Sequence, residues 1–247
     1  MAYYFASDVH LGMALFDIDN EERFLSWLDF VAKDAEAIFF VGDIFDFWFE
    51  YKKVIPKGYL KVLAKLELLT RKGIDIHFFP GNHDMWVKDF FISECGMIVH
   101  EKGEKFEIKG RTFYIDHGDN VGFVKGKVAV LQKIFRNKTA RKLFSSLVHP
   151  DVAMKFGQSW SKNSRKNGME KKHKFDGENE PVVKFARSLI QSGQDIDFFV
   201  FGHLHTPVEY PLSGKSTLFI LGDWITGGYP VYGVMEKESF VLKEFKI

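Results

Sequence analysis

Short apolar runs recur along the chain, and each ends in Gly, Asp or His. Their length and their content of Phe, Ile, Val and Tyr are typical of buried strands. Pairs such as Phe39-Phe40 and Phe198-Phe199 place apolar side chains on both faces of a strand, which favours strands covered on each side in a layered α/β fold. The predicted strands are 2–7, 37–42, 74–81, 111–117, 197–202 and 217–222.

Between these strands, apolar residues recur at the spacing of a helix, with capping residues at the ends of each stretch. A Gly after the last turn and a Pro in the first turn are the usual end signals. The predicted helices are one capped by Asn20 with Phe24, Leu28 and Val31 on one stripe, one over 58–72 with Leu60, Leu63 and Leu66 that stops at Gly73, and one over 182–192 between Pro181 and Gly193.

The charge of the chain is balanced overall but unevenly distributed. It has 34 Lys and Arg against 33 Asp and Glu, yet residues 121–180 alone hold 14 basic and 5 acidic residues. The same segment has helical apolar stripes, formed by Val124, Val128, Leu131 and Phe135 and by Leu143, Phe144 and Leu147. We therefore expect a core built from 1–120 and 181–247, with a basic helical insertion over 121–180.

Composition narrows the class of protein. Hydrophobic residues make up 46% of the 247 residues, which argues against intrinsic disorder. A single cysteine, Cys95, excludes an intrachain disulfide and a cysteine-based zinc site. The first residues lack the basic start of a signal peptide, and no apolar run approaches the roughly 18 residues that span a bilayer. We expect a cytoplasmic protein.

Acidic, imidazole and amide side chains cluster directly after the predicted strands. Because the carboxyl ends of strands meet at one edge of an α/β sheet, these side chains are expected to converge. Carboxylate, imidazole and amide oxygen suit Mn²⁺, Fe²⁺, Zn²⁺ or Mg²⁺. Asp43 is the natural bridge between two such ions. The segments are Asp8-Val9-His10, Gly42-Asp43, Gly81-Asn82-His83-Asp84, His117-Gly118-Asp119 and Gly202-His203-Leu204-His205.

In this order, the five segments resemble the five sequence blocks of the calcineurin-like metallophosphoesterases. The resemblance runs from Asp8 to His205 and implies two packed mixed β-sheets flanked by helices, an αββα sandwich, here with a helical cap insertion. It also implies two divalent metal ions, of which Mn²⁺ is expected. The implied ligands are Asp8, His10, Asp43 and His205 for one ion and Asp43, Asn82, His117 and His203 for the other.

The resemblance also implies roles for the neighbours of these ligands. Asp43 acts catalytically by bridging the ions, and His83 acts catalytically by facing the substrate phosphate. Asp84 and Asp119 are expected to orient neighbouring groups rather than bind metal. The histidines outside the five segments are expected to be structural or exposed, and they are His77, His100, His149 and His173.

A finer resemblance is to the pyrophosphohydrolases that act on UDP-2,3-diacylglucosamine in lipid A biosynthesis. It rests on the length, on the run Asp43-Ile44-Phe45-Asp46-Phe47-Trp48 and on the insertion between His117 and Gly202. It implies release of UMP and 2,3-diacylglucosamine 1-phosphate, a cap that receives acyl chains, and peripheral attachment to the anionic cytoplasmic face of the inner membrane. The implied substrate contacts are Asn82, His83, Asn163, Ser164, Lys166, Asn167 and His203.

Several alternatives stay open. The substrate could be another nucleotide or phosphodiester, and a non-enzymatic scaffold on the same fold is a separate class. Nucleic-acid binding through the basic insertion lacks a supporting motif, and the acidic core opposes it, so neither nucleic acid nor an obligatory protein partner is expected. The aromatic run can line an acyl pocket or belong to the core, and it comprises Phe45, Phe47, Trp48 and Phe49.

Overall fold

The computed structural model describes residues 1–13, 20–121, 137–157, 159, 173–225 and 228–246. Within these residues, eleven strands form one sheet of six and one of five. They are β1 (Ala2–Ala6), β2 (Ala35–Val41), β3 (Asp75–Phe79), β4 (Ile98–Val99), β5 (Glu104–Ile108), β6 (Arg111–Asp116), β7 (Phe198–Phe201), β8 (Val208–Ser213), β9 (Ser216–Ile220), β10 (Val231–Glu236) and β11 (Ser239–Glu244).

Helices occupy the connections between these strands. They are α1 (Asn20–Val31), α2 (Leu60–Arg71), α3 (Phe90–Ser93), α4 (Lys138–Leu147), α5 (residues 150–157), a 3₁₀ turn (Gly177–Asn179) and α6 (Pro181–Gln191). None of the helices in the described residues has both the length and the apolar character that crossing a bilayer requires.

Both sheets are mixed. The first has the order β11-β10-β1-β2-β3-β4, in which β1 to β4 run parallel and β10 pairs antiparallel with β1. The second has the order β5-β6-β7-β9-β8, in which β6, β7 and β9 run parallel. Parallel neighbours bring the carboxyl ends of β1, β2 and β3 to one edge, and those of β6 and β7 to another.

Aromatic side chains from both sheets form the layer between them. The ring of Phe5 on β1 stacks on Phe39 at 4.7 Å and on Phe113 of the second sheet at 5.7 Å. Phe240 meets Phe5 edge-on at 5.0 Å and Phe113 at 5.6 Å. These four rings are at most 4% exposed, so the two sheets are joined by a dry, close-packed interior.

Helices cover the outer faces of the two sheets. The alternate residues of the first sheet, such as Phe40 and Phe78, pack in one buried cluster with Trp27 of α1 and Leu66 of α2. Residues of the second sheet pack in another cluster with Val183 of α6. The predicted αββα sandwich of two mixed sheets is therefore confirmed.

The predicted helix ends are largely confirmed. Gly73 and Gly193 adopt φ of +86° and +85° just after α2 and α6, and Pro181 is the first residue of α6. On α2 the buried stripe is Val62, Leu66 and Leu69, and Leu60 is 80% exposed. The predicted stripe was therefore wrong at its first position, because Leu60 lies two residues before Val62, about 200° around the helix and so on the opposite face.

Asn20 does not cap α1. It is the first residue of the helix, and its side-chain amide donates to the carbonyl of Val9 at 3.3 Å. Its Oδ1 has no hydrogen-bond partner among the described residues, whereas a cap would use that atom to accept from the first turn. Asn20 instead ties the start of α1 to the loop that follows β1.

The described part of the predicted insertion contains the helices α4 and α5. Phe144 of α4 and Ala153 of α5 pack in a small cluster with Phe49 and Tyr51 of the core. The Tyr51 hydroxyl donates to the Val148 carbonyl at 2.8 Å. The boundaries at 120 and 181 stay a prediction, and the predicted stripe of Val124, Val128, Leu131 and Phe135 lies outside the described residues.

We expect Phe113→Ala to lower the free energy of unfolding by about 3–5 kcal/mol, because it leaves a cavity between the two sheets. Urea denaturation measures this change. Leu60→Ala is the control, since Leu60 is 80% exposed and its truncation removes little buried area. Equal losses in the two variants would contradict the assignment of Phe113 to the inter-sheet core.

Candidate metal centre

The segments singled out in the sequence meet where the two sheets adjoin. Asp8 N–H donates to the Gly42 carbonyl at 3.0 Å, which joins the ends of β1 and β2. His203 N–H donates to Asp8 Oδ2 at 3.0 Å, which joins the end of β7 in the second sheet to the end of β1. The site is therefore a seam between sheets rather than one loop.

Backbone strain is concentrated at this seam. Non-glycine residues rarely adopt positive φ, and each such residue costs of order 1–3 kcal/mol. The only other non-glycine examples among the described residues are Lys109 and Lys237, in the turns between β5 and β6 and between β10 and β11. The strained site residues are Asp8 (53°), His10 (51°), Asp43 (54°), His203 (68°) and His205 (55°).

The first group of candidate ligands is Asp8, His10 and His205. His205 Nε2 lies 3.3 Å from Asp8 Oδ1 and 3.4 Å from His10 Nε2. His205 Nδ1 lies 2.9 Å from Asp223 Oδ2. Because the Asp223 carboxylate can only accept when ionised, Nδ1 carries the proton, and Nε2 is left to offer a lone pair.

The second group is Asp43, His117 and His203, whose ligand atoms lie within 4.8 Å of one another. His117 Nδ1 donates to the Val41 carbonyl at 2.8 Å, since a carbonyl oxygen only accepts. His117 Nε2 therefore faces Asp43 Oδ2, at 3.4 Å. The His203 ring lies 5.3 Å from the His117 ring, measured between centroids.

Asp43 contacts the segments around it through three atoms. Its carbonyl accepts from His10 N–H at 3.0 Å, and its Oδ1 accepts from His83 N–H at 2.8 Å. Its Oδ2 is the oxygen that faces His117. Asp43 therefore belongs to the second group and is joined to the first by the hydrogen bond from His10 N–H to its carbonyl.

Unpartnered polar atoms give a test of whether a cation fits. Buried polar atoms are almost always hydrogen-bonded in proteins. Among the described residues, Asp8 Oδ1, Asn82 Oδ1 and His117 Nε2 are buried without a hydrogen-bond partner. Each belongs to a residue that the sequence predicts as a ligand, and each can offer a lone pair. Carboxylate, amide and imidazole donors of this kind fit a divalent cation of the Mn²⁺, Fe²⁺ or Zn²⁺ type.

The pKa directions agree with a requirement for positive charge. Burial raises the pKa of Asp8. Burial also opposes ionisation of Asp43, but the charges of His117 and His83 outweigh it and hold the pKa of Asp43 well below its usual range. Burial would lower the pKa of His117, yet Asp43 raises it well above its usual value. The space between His117 Nε2 and Asp43 therefore favours a cation, whether a proton or a metal ion.

His203 behaves differently from His117. Burial, reinforced by the nearby charge of His117, lowers the pKa of His203 to about 4. A neutral imidazole is the form that ligates metals. His203 is therefore in its ligating form at neutral pH.

Asp84 holds the Asp43 loop in place, as expected for an orienting residue. Its Oδ1 accepts from Gly81 N–H at 2.7 Å and from Asp43 N–H at 3.2 Å. Its Oδ2 accepts from the N–H groups of Ile44 at 2.8 Å and Phe45 at 3.2 Å. Burial and the charge of Asp43 raise the pKa of Asp84 to about 7, and the backbone donors favour the ionised form.

Asp46 and Asp223 are site residues that the sequence analysis did not identify. Asp46 Oδ1 lies 3.6 Å from His10 Nδ1, and the Asp46 carbonyl accepts from His83 Nδ1 at 2.8 Å. The signal for Asp223 was its position after β9 in a Gly222-Asp223 pair, the same pattern as Gly42-Asp43. Asp46 carried only the signal of lying three residues after Asp43.

Glycines beside the ligands leave space for them. A Cβ on Gly42 would lie 2.2 Å from His117 Nδ1, and a Cβ on Gly81 would lie 2.2 Å from Asp43 Oδ1. Any larger residue at these positions displaces a candidate ligand. Glycine is therefore required here for close approach of side chains from other segments.

The aromatic run after Asp43 divides between two environments. Phe45 and Trp48, each 1% exposed, pack in the outer core of the first sheet. Phe47 and Phe49 pack instead in the cluster formed with the insertion. Phe45 and Trp48 therefore belong to the core, and the acyl-pocket interpretation of Phe47 and Phe49 stays a prediction.

The other histidines lie outside the two groups. His77 Nδ1 and His100 Nε2 are 2.9 Å apart, and burial lowers the pKa of His77 to about 4. His173 Nε2 lies 2.8 Å from Glu180 Oε1, and the His149 side chain is 70% exposed. The predicted substrate contacts Asn163, Ser164, Lys166 and Asn167 lie outside the described residues.

The chain is similar to several known proteins. The sequence profile described as calcineurin-like phosphoesterase matches residues 1–207. A relative named UDP-2,3-diacylglucosamine hydrolase, from Porphyromonas gingivalis, is 36% identical over 98% of this chain and 97% of its own. One of the same name from Hahella chejuensis is 25% identical over 100% and 98%. The solved structure of Yfce, a phosphoesterase from E. coli, has a TM-score of 0.45 and 16% identity, covering 97% of this chain and 91% of that chain.

We expect Gly42→Ala to weaken Mn²⁺ binding by at least about 10-fold, because the new Cβ displaces the His117 ring. Gly73→Ala is a matched control: its φ of +86° resembles the +83° of Gly42, but nothing lies within 4 Å of the new Cβ. Both variants carry the same backbone strain, so their difference isolates the clash. Calorimetric titration with Mn²⁺ measures it, and equal affinities would remove His117 from the metal centre.

Proposed function

The chain belongs to the calcineurin-like phosphoesterase family, and on that premise we propose that it cleaves the pyrophosphate bond of UDP-2,3-diacylglucosamine. The products are UMP and 2,3-diacylglucosamine 1-phosphate, an intermediate of lipid A biosynthesis. The presence of two adjacent ligand groups, joined by the hydrogen bond from His10 N–H to the Asp43 carbonyl, carries the assignment as a dimetal hydrolase. The relatives named UDP-2,3-diacylglucosamine hydrolase, which align over nearly the whole chain, support the choice of substrate.

Seven side chains are proposed to hold two divalent ions, of which Mn²⁺ is the proposed species. The two groups already contain six of them, and Asn82 adds a buried, unpartnered Oδ1. When bound, such a pair supplies Lewis acidity and lowers the pKa of bound water. The proposed ligands are Asp8, His10, Asp43 and His205 for one ion and Asp43, Asn82, His117 and His203 for the other.

Asp43 is proposed as the shared carboxylate. Each of its carboxylate oxygens has a different neighbour, His83 N–H for Oδ1 and His117 Nε2 for Oδ2. The Asp84 carboxylate restrains the Asp43 backbone by accepting hydrogen bonds from the N–H groups of Asp43, Ile44 and Phe45. The carboxylate therefore needs little rearrangement to serve both ions.

His83 is proposed to contact the substrate phosphate. Its Nδ1 donates to the Asp46 carbonyl, so Nε2 is the nitrogen that remains for a ligand. Its ring lies edge-on to His10 with centroids 4.9 Å apart, directly beside the first group. From there, Nε2 can donate to a phosphate oxygen when both ring nitrogens carry a proton, and the imidazolium then stabilises the negative charge that develops. Asn82 and His203 are proposed to contact the same phosphate region.

The insertion is proposed to act as a cap that receives the acyl chains and contacts the anionic cytoplasmic face of the inner membrane. Its helices α4 and α5 expose large apolar side chains beside basic ones, an arrangement typical of interfacial helices. The contacts from Asn163, Ser164, Lys166 and Asn167 stay part of this proposal. The exposed apolar residues are Leu143 (61%), Leu147 (76%), Val152 (58%) and Phe156 (53%).

We expect the wild-type protein with Mn²⁺ to release UMP from UDP-2,3-diacylglucosamine and to act far less on UDP-N-acetylglucosamine, which lacks the two long acyl chains. Asp43→Ala should abolish turnover, because it removes the carboxylate proposed to bind both ions. The measurement is UMP formation, with bis-p-nitrophenyl phosphate as a generic diester. Activity on that diester alone would retain the metal chemistry and reject the lipid substrate.

His83→Ala tests the proposed contact of His83 with the substrate phosphate. We expect kcat to fall by about 10²–10³-fold, as when one donor to a developing oxyanion is removed, while two metal ions still bind. Metal content by atomic absorption separates this role from ligation. Loss of one ion in the variant would make His83 a ligand instead.

The membrane proposal predicts that replacing Leu147 and Phe156 together by Ser reduces binding to phosphatidylglycerol vesicles by about 10-fold or more, since each buried side chain contributes roughly 1.5–3 kcal/mol. Vesicle co-sedimentation at low salt measures this. Leu60→Ser on α2 is the control, because Leu60 is 80% exposed on the core. Undiminished binding by the double variant would exclude these residues from the contact.

A further inference from the structure

A cavity of about 530 Å³ lies between the core and helix α4 of the insertion. Its core wall comes from two segments, one containing Phe49 and Lys52 and the other containing Trp86 and Lys88. Its opposite wall is formed by Arg141, Lys142, Ser145 and Ser146 of α4. The metal ligands do not line this cavity, so it is a separate compartment.

The cavity combines an aromatic wall with positive charge. Trp86 contacts Phe49 at 4.1 Å between ring centroids and meets Phe144 edge-on at 5.3 Å, so its ring is held in place. Four cationic and two acidic side chains line the same space, so its lining carries net positive charge. Of the acids, Glu50 already accepts from three backbone N–H groups, at 2.8 to 3.0 Å, and Glu101 is the other. Among the cations, Arg141 donates to the Met85 carbonyl at 3.0 Å. The cationic side chains are Lys52, Lys88, Arg141 and Lys142.

The two serines contribute hydrogen-bond acceptors. Ser145 Oγ and Ser146 Oγ both donate to the Lys142 carbonyl, at 3.1 and 2.7 Å. Their hydroxyl hydrogens are therefore used, and their oxygen lone pairs remain to accept from a ligand. An acyl chain has no use for such acceptors, or for four cations. A ligand with an aromatic ring, an N–H donor and negative charge matches all three features.

The backbone connects this cavity to the metal centre. Trp48 N–H donates to the His83 carbonyl and Glu50 N–H donates to the Trp86 carbonyl, each at 3.1 Å. The two segments thus run side by side from the metal centre to the cavity wall. His83 and Trp86 are three residues apart, a span of at most about 11 Å for an extended chain. That span is comparable to the reach of an extended nucleotide.

We propose that this cavity binds the uridine half of the nucleotide-linked substrate while the pyrophosphate lies at the metal centre. The inference rests on the proposed function and adds to it the location of the nucleoside. The uracil ring stacks on Trp86, its carbonyl oxygens accept from the cationic side chains, and its N–H donates to a serine hydroxyl. The same cations attract the doubly charged pyrophosphate towards the site.

Trp86→Ala and the double variant Lys88→Glu/Lys142→Glu test this assignment in the Mn²⁺-loaded protein. We expect UMP to bind the wild type, and Trp86→Ala to weaken that binding by about 5- to 100-fold, the usual effect of losing one base-stacking partner. The KM for UDP-2,3-diacylglucosamine should rise in parallel in both variants. Bis-p-nitrophenyl phosphate, which carries no uridine, should be affected far less. Both lysines are exposed, so the double variant keeps the test valid if Trp86→Ala fails to fold.

Lys184→Glu on α6 is the control for a change of net charge, since Lys184 is exposed and does not line the cavity. Unchanged UMP binding in the cavity variants would overturn the inference. It would also be overturned if those variants weakened binding of 2,3-diacylglucosamine 1-phosphate instead of UMP, because the cavity would then receive acyl chains. If the wild type hydrolyses only the generic diester, the proposed function fails, and UMP binding alone decides the inference.

Discussion

Two buried carboxylates, Asp8 and Asp43, set the central constraint on this structure. Both are at most 1% exposed, and each raises the energetic cost of ionising the other. Buried charge of one sign is tolerated only when positive charge lies beside it. His117, whose pKa Asp43 raises well above its usual value, supplies part of that charge. The Nε2 lone pair of His205 faces Asp8 Oδ1 at 3.3 Å, so a cation between them is favoured. The seam between the sheets is therefore built to hold positive charge.

Such a seam persists only in a rigid framework. Five site residues hold strained backbone conformations, and their strain must be offset by contacts elsewhere. The aromatic layer around Phe5 and Phe113 fixes the two sheets against each other. Asp84 then fixes the Asp43 loop with four backbone hydrogen bonds, and glycines beside the ligands let side chains from separate strands approach. Rigid packing outside the site thus maintains an arrangement that is unfavourable inside it.

The aromatic run after Asp43 connects this chemistry to the insertion. Phe45 and Trp48 anchor the run in the core, while Phe47 and Phe49 face the insertion helices. The run therefore begins at the metal centre and ends at the wall of the cavity that also contains Trp86. The aromatic run therefore connects the metal centre, where the phosphate is proposed to react, to the cavity and the insertion, where the rest of the substrate is proposed to bind.

The amino-acid sequence by itself determined the layered class, the order of the ligand segments and six of the seven interior strands, because each depends on residues adjacent in the chain. The interior strand that it missed is β10. Edge strands such as β5 and β8 escaped prediction, since their exposed faces break the apolar pattern. Only tertiary structure decided that Asn20 binds the Val9 loop, that Leu60 is exposed, and that Asp46 and Asp223 orient ligands. Each of these depends on which distant segment packs against the residue, and the local periodicity of the sequence does not predict that segment.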